Sequence, residues 1–192
     1  MRYNFSRPIP PEVGAIALQR AGNFSKGLNL MNKPRHVVIL GLGNILNKDE
    51  GIGVHALWQM QQSGKQWPPD VELVDGGTLG LRLLPYVETA THLIILDAVD
   101  AGKEPGELVE LRGEDIPLYT GIKLSLHQST FQEVLGLALA RGNLPEYLYL
   151  LGIQPADLSI GTEPSMEGWA AIPRLIRRTE EILREWGVTP ME

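Results

Sequence analysis

The stretch Val37 to Gly53 restricts the fold of this chain more than any other. An apolar run, Val37-Val38-Ile39-Leu40, meets a glycine turn, Gly41-Leu42-Gly43-Asn44, and then a helix start that carries Asp49 and Glu50. A strand that turns on glycine straight into a helix opens a βαβ unit, in which the next parallel strand is reached by a helical crossover. The glycine spacing imitates the dinucleotide fingerprint G-x-G-x-x-G, where backbone N–H groups and a helix N-terminus receive a pyrophosphate. Here Leu46 holds the third glycine position, and Asp49 and Glu50 stand where the phosphate would settle. Two carboxylates complement the helix dipole from within the protein, so both are expected to face a cation.

Composition narrows the field further. With 192 residues the chain suits one domain with a substantial core. A formal net charge of -6 argues against nucleic acid as a partner, because that binding rests on neutralising phosphates. There is no cysteine, which excludes thiol nucleophiles, disulfides and thiolate metal sites, so any metal must take oxygen or nitrogen ligands. No apolar run reaches the ~20 residues needed to span a bilayer, and no contiguous apolar signal core opens the chain. The expectation is a cytoplasmic protein without a membrane partner. Residues 1–33, with Pro8, Pro10, Pro11, Gly14, Gly22 and Gly27 and no sustained alternation, read as an N-terminal extension, poorly ordered or upstream of a true start at Met31. Residues 34–192 then form a single α/β domain.

Strand-like runs alternate with helical periodicity from residue 35 onward, which predicts a mostly parallel central sheet of about five strands flanked by helices in a three-layer sandwich. Strands are expected at His36–Gly41, Val71–Asp75, His92–Asp97, Gly106–Arg112 at an edge, and Tyr147–Ile153. Helices are expected at Gly51–Gln62, from a Thr78 cap through Val87, at Phe131–Ala140, and at Ser165–Trp186. In the last, Trp169, Ile172, Ile176, Ile182 and Leu183 share an apolar face, Pro173 is expected to kink or divide the helix, and Gly187 to end it. Arg177 with Glu181 and Glu180 with Arg184 are spaced for surface ion pairs.

Ligands of open α/β sheets collect beyond the carboxyl ends of the strands. Three polar groups fall there: Asn44, Asp49 and Glu50 after the first strand, Asp75-Gly76-Gly77-Thr78 after the second, and Asp97-Ala98-Val99-Asp100 after the third. Glu50 taken alone suits a dipole-stabilising role. Asp97 ends the buried run Leu93-Ile94-Ile95-Leu96, where a carboxylate needs donors or a cation. Asp75 has an equally good reading as a turn residue beside two glycines. Among the histidines, His36 and His92 precede strands and lie at the far end of the sheet. His55 is about 140° around the helix from Glu50, and His127 sits in a polar loop before a helix, free to reach the crevice. Glu50, Asp97 and His127 together would make a mixed oxygen and nitrogen site for nickel, zinc or another transition ion.

Gly41-Leu42-Gly43-Asn44-Ile45-Leu46 with Asp49-Glu50-Gly51-Ile52-Gly53, then Val74-Asp75-Gly76-Gly77-Thr78, Leu96-Asp97-Ala98 and Ser125-Leu126-His127-Gln128, resemble in order and spacing the hydrogenase maturation endopeptidases. The resemblance runs from about Arg35 to Pro190. Through Ser125 to Pro155 it is greatest to members serving membrane-bound uptake [NiFe] hydrogenases. It implies an α/β sandwich and a peptidase, filed among aspartic-type enzymes, that removes a C-terminal extension from the nickel-loaded large-subunit precursor. The implied catalytic and metal-contacting residues are Glu50, Asp97 and His127. The nickel is carried by the substrate, although another divalent ion would suit the same groups. Asp75, Gly76 and Gly77 are expected to receive substrate backbone. Two other readings compete: a nickel-dependent chaperone that escorts the precursor without cutting it, and a nucleotide-related hydrolase or phosphorylase of similar fold, which would need a basic anion site where this turn is acidic.

Overall fold

The first strand, β1 (Val37–Leu42), is buried along its whole length. Such a strand needs a helical layer on each face, and the register supplies both. The computed structural model describes residues 33–113, 115–118 and 126–191, with the backbone alone for 117–118 and 126–130. After β1 come a 3₁₀ turn (Lys48–Gly51), α1 (Ile52–Gln62), β2 (Val71–Gly77), a second 3₁₀ turn (Gly80–Leu83), α2 (Leu84–Thr89), β3 (His92–Ala98), β4 (Leu108–Arg112), α3 (Asp115–Leu118), α4 (Leu126–Ala140), β5 (Tyr147–Ile153) and α5 (Met166–Glu185). The sheet order is β2-β1-β3-β5-β4. All neighbours are parallel except β4, which runs antiparallel to β5 at the edge.

Alternation along the strands divides the core into two layers. Val37, Ile39, Ile94, Leu96, Leu151 and Ile153 point to one face and are covered by Ile52, Ala56, Leu57 and Met60 of α1 and by Ile172, Leu175, Ile182 and Leu183 of α5. Val38, Leu40, Leu93, Ile95 and Leu148 point to the other, under Leu83, Val87, Ile116, Phe131, Val134 and Leu135. This is the three-layer sandwich that the residue pattern predicts. Burial of these side chains is the main favourable term, at about 25 cal/mol per Å² of apolar surface.

Local expectations fare unevenly. Thr78 caps nothing: β2 runs on through Gly77, a 3₁₀ turn follows, and α2 starts without a side-chain cap but with a proline, Pro85, in its first turn. Helix α4 begins at Leu126, five residues ahead of Phe131, so His127 lies in its first turn instead of a loop. Helix α5 passes through Pro173 undivided, with that residue on the exposed side. Its N-cap is Ser165, and Gly187 follows it at φ +70°. Ile172, Ile182 and Leu183 are buried, but Trp169 is 38 % exposed and packs edge-on against His55. The expected surface pairs are replaced: Glu180 binds Lys65, and Arg178 bridges Glu110, Glu181 and Glu185.

His55 and His92 make the fold sensitive to acid. Burial holds the His55 imidazole below its ordinary value near 6.5, against opposing contributions from Glu163 and the Thr162 backbone. Burial also lowers His92, helped by Arg35 and opposed by Glu146 and Asp70; its ring stacks on Tyr147 at 4.4 Å. A base whose folded pKa is depressed takes up its proton first in the unfolded chain. Stability is therefore fully present above about pH 7 and falls as pH drops through the unfolded histidine value, levelling below the folded one. The urea midpoint is expected to fall between pH 7.5 and 5.5, and to fall less in His55→Gln and His92→Gln; equal pH dependence in wild type and both variants would refute the assignment.

Candidate active site

Chain direction puts the site where the strand order reverses. From β1 the chain passes through α1 to β2 on one side, then through α2 to β3 on the other. The connections diverge between β1 and β3, which opens a crevice beyond their carboxyl ends. Two glycines bring the first helical turn down onto that crevice. A Cβ on Gly43, at φ +117°, would lie 1.7 Å from the Glu50 carbonyl oxygen, and one on Gly53 would lie 2.0 Å from the Leu96 carbonyl oxygen. Only glycine permits this approach, and it seats the turn that carries Glu50 over the end of β3, which carries Asp97.

The adjacent carboxylates Asp49 and Glu50 have separate duties. Asp49 is fully buried and saturated. Its Oδ2 accepts from the backbone N–H of Ala156 (2.8 Å) and Asp157 (3.0 Å) and from the Ser165 hydroxyl (2.8 Å). Its Oδ1 accepts from the Ser165 N–H at 2.7 Å. A Cβ on Gly168 would come within 2.5 Å of that same oxygen, so the first turn of α5 is cut to fit it. With four donors Asp49 needs no cation, which corrects the expectation that both carboxylates face one. Glu50 is 7 % exposed. Its Oε2 accepts from the Asn47 side-chain N–H at 2.7 Å, while Oε1 is buried with no hydrogen-bond partner among the described residues. A buried carboxylate oxygen without a partner is costly, and this one belongs to the turn seated over the end of β3.

Asp97 is 5 % exposed at the end of β3, and its Oδ1 accepts from the Ala98 N–H at 2.8 Å. Next to it in the sheet, the end of β5 carries a residue that sequence reasoning missed. Gln154 accepts from the N–H groups of Ala101 and Lys103 and donates to Asp100, pinning the loop after β3. A glutamine directly after an apolar run was its one visible signal. Asp75 is exposed and accepts from the Trp58 indole at 2.9 Å. The space beside Gly76 is taken by Leu42 and Leu83 of the protein itself, whereas Gly77, at φ +38°, has open space beside it apart from Asp75. The His127 side chain lies outside the described residues. Among the described residues no group of three or more His, Cys, Asp or Glu is placed to hold a metal ion. The described residues thus place two buried carboxylates on adjoining elements, the turn after β1 and the end of β3, and Oε1 of Glu50 has no hydrogen-bond partner among the described residues.

Comparison with known proteins agrees with this architecture. The family model described as hydrogenase maturation protease matches residues 54–182. The hydrogenase expression/formation protein HupD of Rhodobacter capsulatus is 42 % identical over 162 residues, covering 81 % of this chain and 75 % of the relative. The hydrogenase 2 maturation protease of Escherichia coli is 38 % identical over 156 residues, covering 79 % and 93 %. Among solved structures, the hydrogenase maturating endopeptidase HybD from Escherichia coli superposes with a TM-score of 0.77 at 34 % identity, covering 81 % of this chain and 96 % of that one.

The contrast between the two carboxylates has a measurable consequence. Asp49→Ala leaves three part-buried N–H groups and a hydroxyl without their acceptor and is expected to cost about 3 kcal/mol. Glu50→Gln replaces the carboxyl that holds the partnerless buried oxygen and is expected to leave stability unchanged or raised within about 1 kcal/mol. Chemical denaturation of the two variants reads the difference; losses of similar size would assign both residues a structural role.

Proposed function

The chain belongs to the hydrogenase maturation proteases and is a peptidase, and on that premise we propose that it removes the C-terminal extension of a nickel-loaded [NiFe] hydrogenase large-subunit precursor of the uptake type, in the cytoplasm. Residues 34–192 carry this activity and 1–33 are an extension to it. The observation that supports the reading best is Oε1 of Glu50, buried with no hydrogen-bond partner among the described residues in a turn seated over the end of β3, the strand that carries Asp97. An oxygen left without a donor inside a protein is suited to a cation delivered from outside. The nickel of the precursor docks against Glu50, Asp97 and His127, and the scissile bond is thereby held beside a carboxylate able to activate water. Asp75, Gly76 and Gly77 form the other lip, where Gly77 leaves room for substrate backbone.

Under this reading the metal is both anchor and checkpoint, since a precursor without nickel offers no cation to the acidic crevice. Incubation with nickel-loaded precursor is expected to produce a discrete loss of C-terminal mass, and the nickel-free precursor is expected to stay uncut. A stable complex with unchanged mass would decide for an escorting chaperone. His127→Ala is expected to abolish cleavage with the fold intact, read by the same mass assay beside a circular dichroism spectrum; full activity would remove His127 from the mechanism.

A further inference from the structure

Asn47 stands three residues before Glu50 at the N-cap of the 3₁₀ turn, an arrangement whose ordinary use is reciprocal capping. In that use the cap side chain accepts from the turn's N–H groups, and the glutamate reaches back to the cap's own N–H. Neither bond is made here. The Asn47 side chain accepts no cap hydrogen bond, and its backbone N–H is occupied by the Asn44 carbonyl at 3.0 Å. The Asn47 carboxamide instead donates to Oε2 of Glu50 at 2.7 Å, and the other carboxylate oxygen is buried with no partner among the described residues.

The rest of the loop is arranged to hold this donor still. Asn47 forms an isolated parallel bridge with Gly161, in which Gly161 N–H donates to the Leu46 carbonyl and Lys48 N–H donates to the Gly161 carbonyl, both at 2.8 Å. Lys48, the one described non-glycine residue at positive φ (+42°), pairs with Asp157 across the same two loops. Strained backbone persists only where its surroundings over-determine it. Here the backbone on both sides of Asn47 is held by these bonds.

We propose that Asn47 is a positioning residue for the peptidase reaction: its carboxamide takes one oxygen of Glu50 so that the other is presented, unpaired, to the cation of the substrate. This rests on the reading of Glu50 as a metal-contacting group. A donor behind a ligating carboxylate fixes its rotamer, and loss of such a partner typically costs about 10–100-fold in metal affinity or activity.

The test uses the full chain and nickel-loaded precursor under single-turnover conditions, with Asn47→Ala and Asn47→Asp. Aspartate is as good a turn former as asparagine, so a purely structural role survives Asn47→Asp, whereas a donor role does not. The expected result is a cleavage rate at sub-saturating precursor lowered about 10–100-fold in both variants, with half-saturation moved to higher precursor concentration because the same oxygen anchors the substrate's cation. Urea midpoints of Asn47→Ala, Glu50→Ala and the double variant supply a second reading that needs no catalysis. The single shifts are expected to be non-additive, because the two side chains act as one unit. A wild-type rate in Asn47→Asp, or additive shifts, overturns the proposal while leaving the protease reading intact. If wild-type protein leaves the nickel-loaded precursor uncut, or Glu50→Ala cuts it at the wild-type rate, the reading of Glu50 fails and the role of Asn47 with it.

Discussion

The carboxylate of Asp49 is the interaction on which the crevice depends. It is fully buried, and its four donors all come from the segment between β5 and α5. An isolated buried carboxylate would be strongly unfavourable; one that accepts several N–H and O–H bonds is stable and rigid. Because those donors lie 107 to 116 residues away in sequence, this single side chain joins the first turn of the fold to its last helix. The Ser165 hydroxyl extends the arrangement by donating to Asp49 while accepting from Gly168 as the N-cap of α5. The site's floor and the C-terminal helix are therefore ordered by one group.

Rigidity in Asp49 allows incompleteness in Glu50. The neighbouring carboxylate keeps one oxygen unsatisfied at 7 % exposure, a cost that a packed and hydrogen-bonded surround can sustain. Functional groups often carry such costs, which is why their removal can leave stability unharmed while activity is lost.

Much of this architecture was legible in residue order. The strands were visible because parallel strands buried on both faces are near-continuous apolar runs, and β3 shows it in Leu93-Ile94-Ile95-Leu96, buried throughout. Asp97 was legible for the same reason, being polar at the end of such a run. The start of α4 was not, because His127, Gln128, Ser129 and Thr130 look like a loop by composition although the backbone there is helical. Trp169 was assigned to the core by its helical spacing, yet it lies at the margin of α5 against His55, since periodicity names a face but not where its covering layer ends. Asn47 went unnoticed because asparagine in a turn has many local uses.

What the sequence by itself determined is what sterics and period dictate: an alternating α/β order, a glycine turn that admits a helix against two strands, and carboxylates at strand ends. Adjacent residues such as Asp49 and Glu50 are chemically alike in a sequence, and no local rule separates them. Only the tertiary structure decided that one is saturated and the other open, because the donors that distinguish them arrive from β5–α5 and from Asn47 once the sheet has brought those segments together. Hydrogen-bond satisfaction is a property of where distant groups meet, and that is set by packing and not by spacing along the chain.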